Sequence, residues 1–166
     1  SLLAIIILGF AVWAHHMFTV GMTSVGNTFF AISTLIIAVP TGIKIFNWLA
    51  TMYGGKIRFD LPMMFAIGFL FQFLIAGLTG VMLGVAPFDW QLHDSYFVVA
   101  HFHYVILGGI VFCIFSGFYY WFPKAFGRML NVRLGHWHFW LFVLGFHLTF
   151  DPLHFAGILG MPRRIF

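Results

Sequence analysis

His93-Asp94-Ser95-Tyr96-Phe97-Val98-Val99-Ala100-His101-Phe102-His103-Tyr104-Val105 leads from a short polar loop into a long apolar run. His101 and His103 are two residues apart. On a helix they point about 200° apart, so both cannot hold one metal while the helix stays regular. They can serve two metals, one on each flank. Imidazole is a usual axial ligand of haem iron, and a membrane helix with a histidine on each side suits a wall between two haems. The plainer reading is two imidazoles bonded to neighbouring helices, because polar groups inside a bilayer find protein partners.

Working outward, the composition fixes the class. Hydrophobic residues make up 62% of the 166, and charged residues only 7%, against about 25% in soluble domains. The pattern predicts an all-α, polytopic transmembrane bundle of about five helical segments, with residues 1–166 as one domain. The net charge of +4 is no nucleic-acid signature, since the basic residues sit in loops between apolar runs. Cys113 is alone and predicts a buried small hydrophobe in mid-helix. The chain opens inside an apolar run and closes without a tail, so a piece of a longer polytopic chain is expected.

The expected segments run in order. Residues 1–13 end a helix and 14–24 form a loop. A second helix covers about 26–53, followed by a turn at the paired glycines Gly54 and Gly55. A third ends near Gly84, with Pro62 in its first turn. Residues 85–93 read as a loop. A fourth helix covers about 94–122, and 123–135 form a basic loop. A fifth runs over 136–148, extending toward Ile158 past a kink at Pro152. Lys56, Arg58, Lys124, Arg128 and Arg133 then share one side, the inner one by the positive-inside rule. Arg163 and Arg164 fall on the outer side against that rule, which suggests pairing with anions.

Other residues carry chemistry. His15-His16 stands at the outer end of the first span; outside a regular helix, adjacent imidazoles can converge on copper or zinc, or simply sit at the interface. Lys44, with Thr41 one turn before it, lies short of its helix end. It can snorkel inward or relay protons. Asp89, His93 and Asp94 crowd one loop and suit a divalent cation, although Asp94 is equally suited to cap the next helix. His147 and His154 share a helix face, where hydrogen bonding or packing is the preferred reading. His136 and His138 read as interfacial. Trp48, Trp121, Trp137 and Trp140 fall near span ends, as an aromatic belt would.

Trp13-Ala14-His15-His16-Met17-Phe18, Pro40-Thr41-Gly42-Ile43-Lys44, the stretch His93 to Val105, and Gly160-Met161-Pro162-Arg163-Arg164 occur in this order. Together they resemble subunit I of the haem–copper respiratory oxidases, the cytochrome c and quinol oxidases. The resemblance covers essentially the whole chain, as the seventh to eleventh of the family's twelve core helices. It implies a terminal oxidase reducing O2 to water, coupled to proton translocation, with two haems, copper, and magnesium or manganese. It implies subunits II and III as partners, cytochrome c or quinol as electron donor, and lipid around an integral protein of a bacterial cytoplasmic or mitochondrial inner membrane.

By residue, the resemblance implies that His15 and His16 bind the copper. His101 would ligate the high-spin haem and His103 the low-spin haem. Thr41 and Lys44 would belong to a proton channel, and His93 and Asp94 would hold the magnesium or manganese. Asp89, Arg163 and Arg164 would meet the haem propionates. The third copper ligand and its cross-linked tyrosine would lie before residue 1. Asp151 stands where the family generally has an apolar residue, and His147 where it often has Asn. Two alternatives remain: a membrane di-haem electron-transfer protein, which leaves His15-His16 and Lys44 unexplained, and a relative of the nitric oxide reductases, which lack the lysine channel.

Overall fold

A computed structural model describes residues 1–165. Seven α-helices follow in order: α1 Leu2–Phe10, α2 Ser24–Met52, α3 Leu61–Gly84, α4 Ala86–Leu92, α5 Tyr96–His103, α6 Phe112–Phe126 and α7 Val132–Ile158. A 3₁₀ turn, Trp13–Met17, follows α1, and a π-helical stretch, Tyr104–Val111, joins α5 to α6. α2, α3, the continuous rod Tyr96–Phe126, and α7 are long and apolar enough to cross a membrane. Among the described residues there is no β-strand, only one isolated bridge between Ser95 and Pro162.

Local chemistry sets the helix ends. Thr23 caps α2 by accepting from the Gly26 amide, and Asn131 caps α7 by accepting from Leu134. Pro62 occupies the first turn of α3, where no amide is needed. α6 stops at Gly127, whose φ of 67° suits glycine. Ser95, not Asp94, caps α5, accepting from the Phe97 amide; Asp94 sits outside the helix at φ 55°. The loop expected over 85–93 is largely helical, because Pro87 in the first turn of α4 tolerates a helix start. Pro152 does not end α7. The basic connection is short, since α6 runs on to Phe126 and α7 starts at Val132.

Two aromatic clusters hold the bundle. Phe65, Phe112 and Phe139 join α3, α6 and α7, with Phe65 edge-on to Phe139 at 5.1 Å, a favoured aromatic geometry. Ala76, Tyr104 and Phe146 form the second cluster. Close approach depends on small residues. A Cβ on Gly157 would lie 2.0 Å from the backbone nitrogen of Phe97, so α7 crosses α5 nearly backbone to backbone. His138 packs on Phe115 and shares a hydrogen bond with Tyr119 at 2.9 Å. Trp48 turns inward onto Phe69. Cys113 is exposed rather than buried, because Phe112 takes the core-facing direction and the next residue is turned about 100° from it. Outward faces remain apolar, Phe10 and Phe46 among them, as expected of surfaces facing lipid or further helices.

Candidate metal and haem site

A cleft of about 700 Å³ opens between α2, α3, α4 and α5, within the usual size of a cofactor pocket. Thr34, Ile37, Ala38, Thr41, Gly42 and Ile45 line it from α2, at the three- and four-residue spacing of one helical face. His101 enters from α5, and His15 and His16 from the 3₁₀ turn. Asp89, His93, Asp94 and Arg163 close its outer rim.

The imidazoles are preset. The 3₁₀ turn brings the Nε2 atoms of His15 and His16 within 3.0 Å of each other. His15 Nδ1 lies 3.0 Å from Thr34 Oγ1, and Thr34 gives its single hydroxyl proton to the Phe30 carbonyl. Thr34 therefore accepts from His15 Nδ1–H, which makes His15 Nε2 the lone-pair nitrogen, facing His16 Nε2. The same logic holds on α5. His101 Nδ1 lies 2.9 Å from Thr79 Oγ1, whose proton goes to the carbonyls of Ile75 and Ala76. His103 Nδ1–H donates to the Val99 carbonyl at 2.7 Å. Three histidines thus hold Nδ1 protonated and present Nε2 outward, the arrangement that second-shell bonds impose on metal-binding histidines. Burial and the neighbouring His16 pull His15 down to about 4, so it is neutral and able to ligate near pH 7.

His101 and His103 leave their helix on different sides. His101 faces the cleft, where Gly80 lies so near that an added Cβ would sit 3.0 Å from the imidazole. His103 turns to α7 and stacks on Phe150 at 4.3 Å with planes 18° apart. Trp90 Nε1 donates to the Phe18 carbonyl and so ties α4 to the 3₁₀ turn. Sequence reasoning did not single out Thr34, Thr79 or Trp90. Thr34 had a signal, lying two turns before Thr41 on the same face.

The outer rim is a charge network. Arg163 Nη1 lies 3.5 Å and Arg164 Nη1 3.9 Å from Asp94 Oδ1. The Arg163 amide donates to the Asp94 carbonyl, and the Tyr96 amide to that of Met161. Both backbone bends are left-handed, at Asp94 and at Arg164 with φ 63°. His93 Nδ1 lies 3.1 Å from buried Asp89. Burial pushes the Asp89 carboxyl up, against the pull of His93. His93 Nε2 stands 3.9 Å from Asp94 Oδ2, and among the described residues no three His, Cys, Asp or Glu side chains gather in a metal-binding group.

Thr41 borders the cleft and donates to the Ile37 carbonyl. Lys44 does not line it. Its half-buried side chain runs down α2, with Nζ 5.3 Å from the Trp48 ring, a cation–π contact. That ring packs on Phe69 and Phe73, so the ammonium lies against the α2–α3 seam.

The model of the family described as cytochrome C and quinol oxidase polypeptide I matches residues 1–166. The chain belongs to the cytochrome c and quinol oxidase polypeptide I family. This oxidase-family chain is 63% identical to cytochrome c oxidase subunit 1 of Bacillus sp. (strain PS3) over 159 residues, which are 96% of this chain and 26% of that relative. It is 53% identical over its full length to quinol oxidase subunit 1 of Bacillus subtilis (strain 168), covering 26% of it. It is 57% identical to cytochrome c oxidase subunit 1 of Yarrowia lipolytica, over 96% of this chain and 30% of that relative. The chain spans about a quarter of the length of the first two. Membership of the family implies haem and copper, and four membrane-length apolar helices make this an integral membrane protein.

Proposed function

We propose that this chain is one domain of the catalytic subunit of a haem–copper terminal oxidase. The whole enzyme reduces O2 to water and translocates protons across a bacterial cytoplasmic membrane. It works with subunits II and III, and cytochrome c or a quinol supplies electrons. One observation carries the reading: His15, His101 and His103 each spend Nδ1–H on an oxygen and leave Nε2 as the lone-pair nitrogen, with His15 and His101 on one cleft and His103 on the opposite flank.

The side chains fit the groups the family implies. The two converging Nε2 atoms of His15 and His16 would hold copper, with a further ligand from outside this chain. His101 would hold the high-spin haem, and His103 the low-spin haem. When bound, these groups supply the redox chemistry and the oxygen-binding site. The chain supplies the rest. Thr34 and Thr79 fix the tautomers and aim the rings. The α2 and α3 walls of the cleft are mostly apolar, and Gly80 leaves room beside His101. Asp89, Arg163 and Arg164 would meet the propionates at the rim, the arginines offering planar donors to carboxylates. His93 Nε2 and Asp94 would give two ligands to a magnesium or manganese ion, which keeps waters in its other positions. Thr41 and Lys44 would carry protons inward to the cleft. A lysine between apolar helices is costly unless it works.

Metal and haem analysis of the complete purified oxidase tests this. His16→Ala should lose copper and keep both haems. His101→Ala should lose the high-spin haem, and His103→Ala the low-spin band. A di-haem carrier, the rival, would keep its full metal content in His16→Ala.

A further inference from the structure

Besides His103, stacked on Phe150, and His154, packed on Phe97 and Tyr104, the seam between α5 and α7 carries one hydrogen-bonded polar cluster. Tyr104 is 1% exposed, and its hydroxyl donates to Asp151 Oδ1 and lies 3.0 Å from His147 Nδ1. His147 Nδ1 is 3.1 Å and 3.2 Å from the two oxygens of Asp151, one turn further along α7. The carboxylate therefore accepts from a phenol and from an imidazole N–H, and neither donor needs a charge of its own. Among the described residues its only ion-pair partner is His147; no Lys or Arg reaches it. The reading of the metal site uses none of these three side chains, and an ionisable group inside a membrane calls for a reason.

Their position supplies one. Asp151 follows Phe150, whose ring lies on the His103 imidazole, and Tyr104 follows His103. His103 is seven residues into α5 and Asp151 seven residues from the end of α7, both about 10 Å below the outer helix ends. We infer that Asp151, held by Tyr104 and His147, is a fixed negative charge that lowers the reduction potential of the haem carried by His103. The inference rests on the reading of His103 as that haem's ligand. Oxidised haem carries one more positive charge than reduced haem, and a nearby carboxylate favours the oxidised form. The Asp151 side chain is partly exposed in this chain, so an effective dielectric constant of about 20, not that of a dry interior, describes the screening.

Redox titration of the low-spin band tests this in the complete oxidase, wild type against Asp151→Asn. Asparagine keeps the shape and a carbonyl acceptor for Tyr104 but removes the charge. At a fixed ambient potential the reduced-to-oxidised ratio should rise roughly tenfold, the effect of one charge about 10 Å away at an effective dielectric constant of about 20. For a one-electron couple that is a shift of about 59 mV upward. A ratio within about twofold of wild type overturns the inference and leaves the cluster as a tie between helices, which asparagine would preserve. If Asp151→Asn does not assemble, Asp151→Ser carries the same test with the same two outcomes. His103→Ala, which offers no ligand atom, separates the two failures: a low-spin band that survives it sinks the ligand assignment, whereas a band lost with His103 but unmoved by Asp151→Asn sinks only the charge effect.

Discussion

Replacing Gly157 by alanine sets two effects of opposite sign against each other. In a helix interior alanine is better than glycine by about 1 kcal/mol; Gly157 is the penultimate residue of α7, so Gly157→Ala would gain at most that much if space allowed. Space does not allow it. The new Cβ would lie 2.0 Å from the Phe97 nitrogen and 2.7 Å from its Cα and Cβ, whereas ordinary contact begins at 3.4 Å. Backbone cannot swing aside like a side-chain tip, so α5 and α7 must separate by roughly an ångström or more. Overpacking of this kind costs about 1–3 kcal/mol, here at the upper end, and the net loss is about 2 kcal/mol after the propensity gain. The damage is directed. Phe97 lies in the first turn of the helix that carries His101 and His103, so both imidazoles shift with it. In the complete oxidase, Gly157→Ala should lower the midpoint of heat inactivation and disturb the haem bands. Gly145→Ala on the same helix, with nothing within 4 Å in this chain, should do neither. Wild-type bands and an unchanged or raised midpoint in Gly157→Ala would refute the backbone-to-backbone crossing.

Lys44→Met keeps the stem and removes the ammonium; haems and copper should load normally while steady-state oxygen consumption collapses, and turnover within a few-fold of wild type would return Lys44 to an interfacial role. In copper-depleted enzyme, His15 is neutral when folded down to about pH 4 but takes a proton when unfolded near pH 6.5. The unfolded state binds more protons in that window, so His15 should make heat stability fall as pH drops from about 6.5 toward 4, and His15→Gln should flatten that part of the slope.

The spans were legible because apolar runs of membrane length admit little else. The two flanks of His101 and His103 followed from helical rotation alone. Other features hid from the sequence for identifiable reasons. α4 is only seven residues long, too short for a periodic signal. The cap at Ser95 rather than Asp94 depends on a backbone bend at Asp94 that nothing but the Arg163 contacts reveals. Thr79, which sets the tautomer of His101, is an ordinary helical threonine until the fold brings α3 and α5 together. Asp151 stood out by its residue type alone, but its tie to Tyr104 needed the three-dimensional crossing.

The π-helical stretch from Tyr104 to Val111 gives this membrane rod a phase shift. A π segment places about one more residue in the same length than an α-helix would, which turns everything beyond it by roughly 100°. The outer half of the rod is thereby aimed at the imidazole sites, while the inner half, starting at Phe112, is aimed at the aromatic cluster with Phe65 and Phe139. The wider turn coincides with Gly108 and Gly109, where Gln72 and Phe73 of α3 press in. Like a coupling between two shafts, it lets one half be re-indexed without turning the other. Mutational drift in the inner half can therefore proceed without rotating the two histidines, whereas deleting a single residue from the coupling would turn one half against the other.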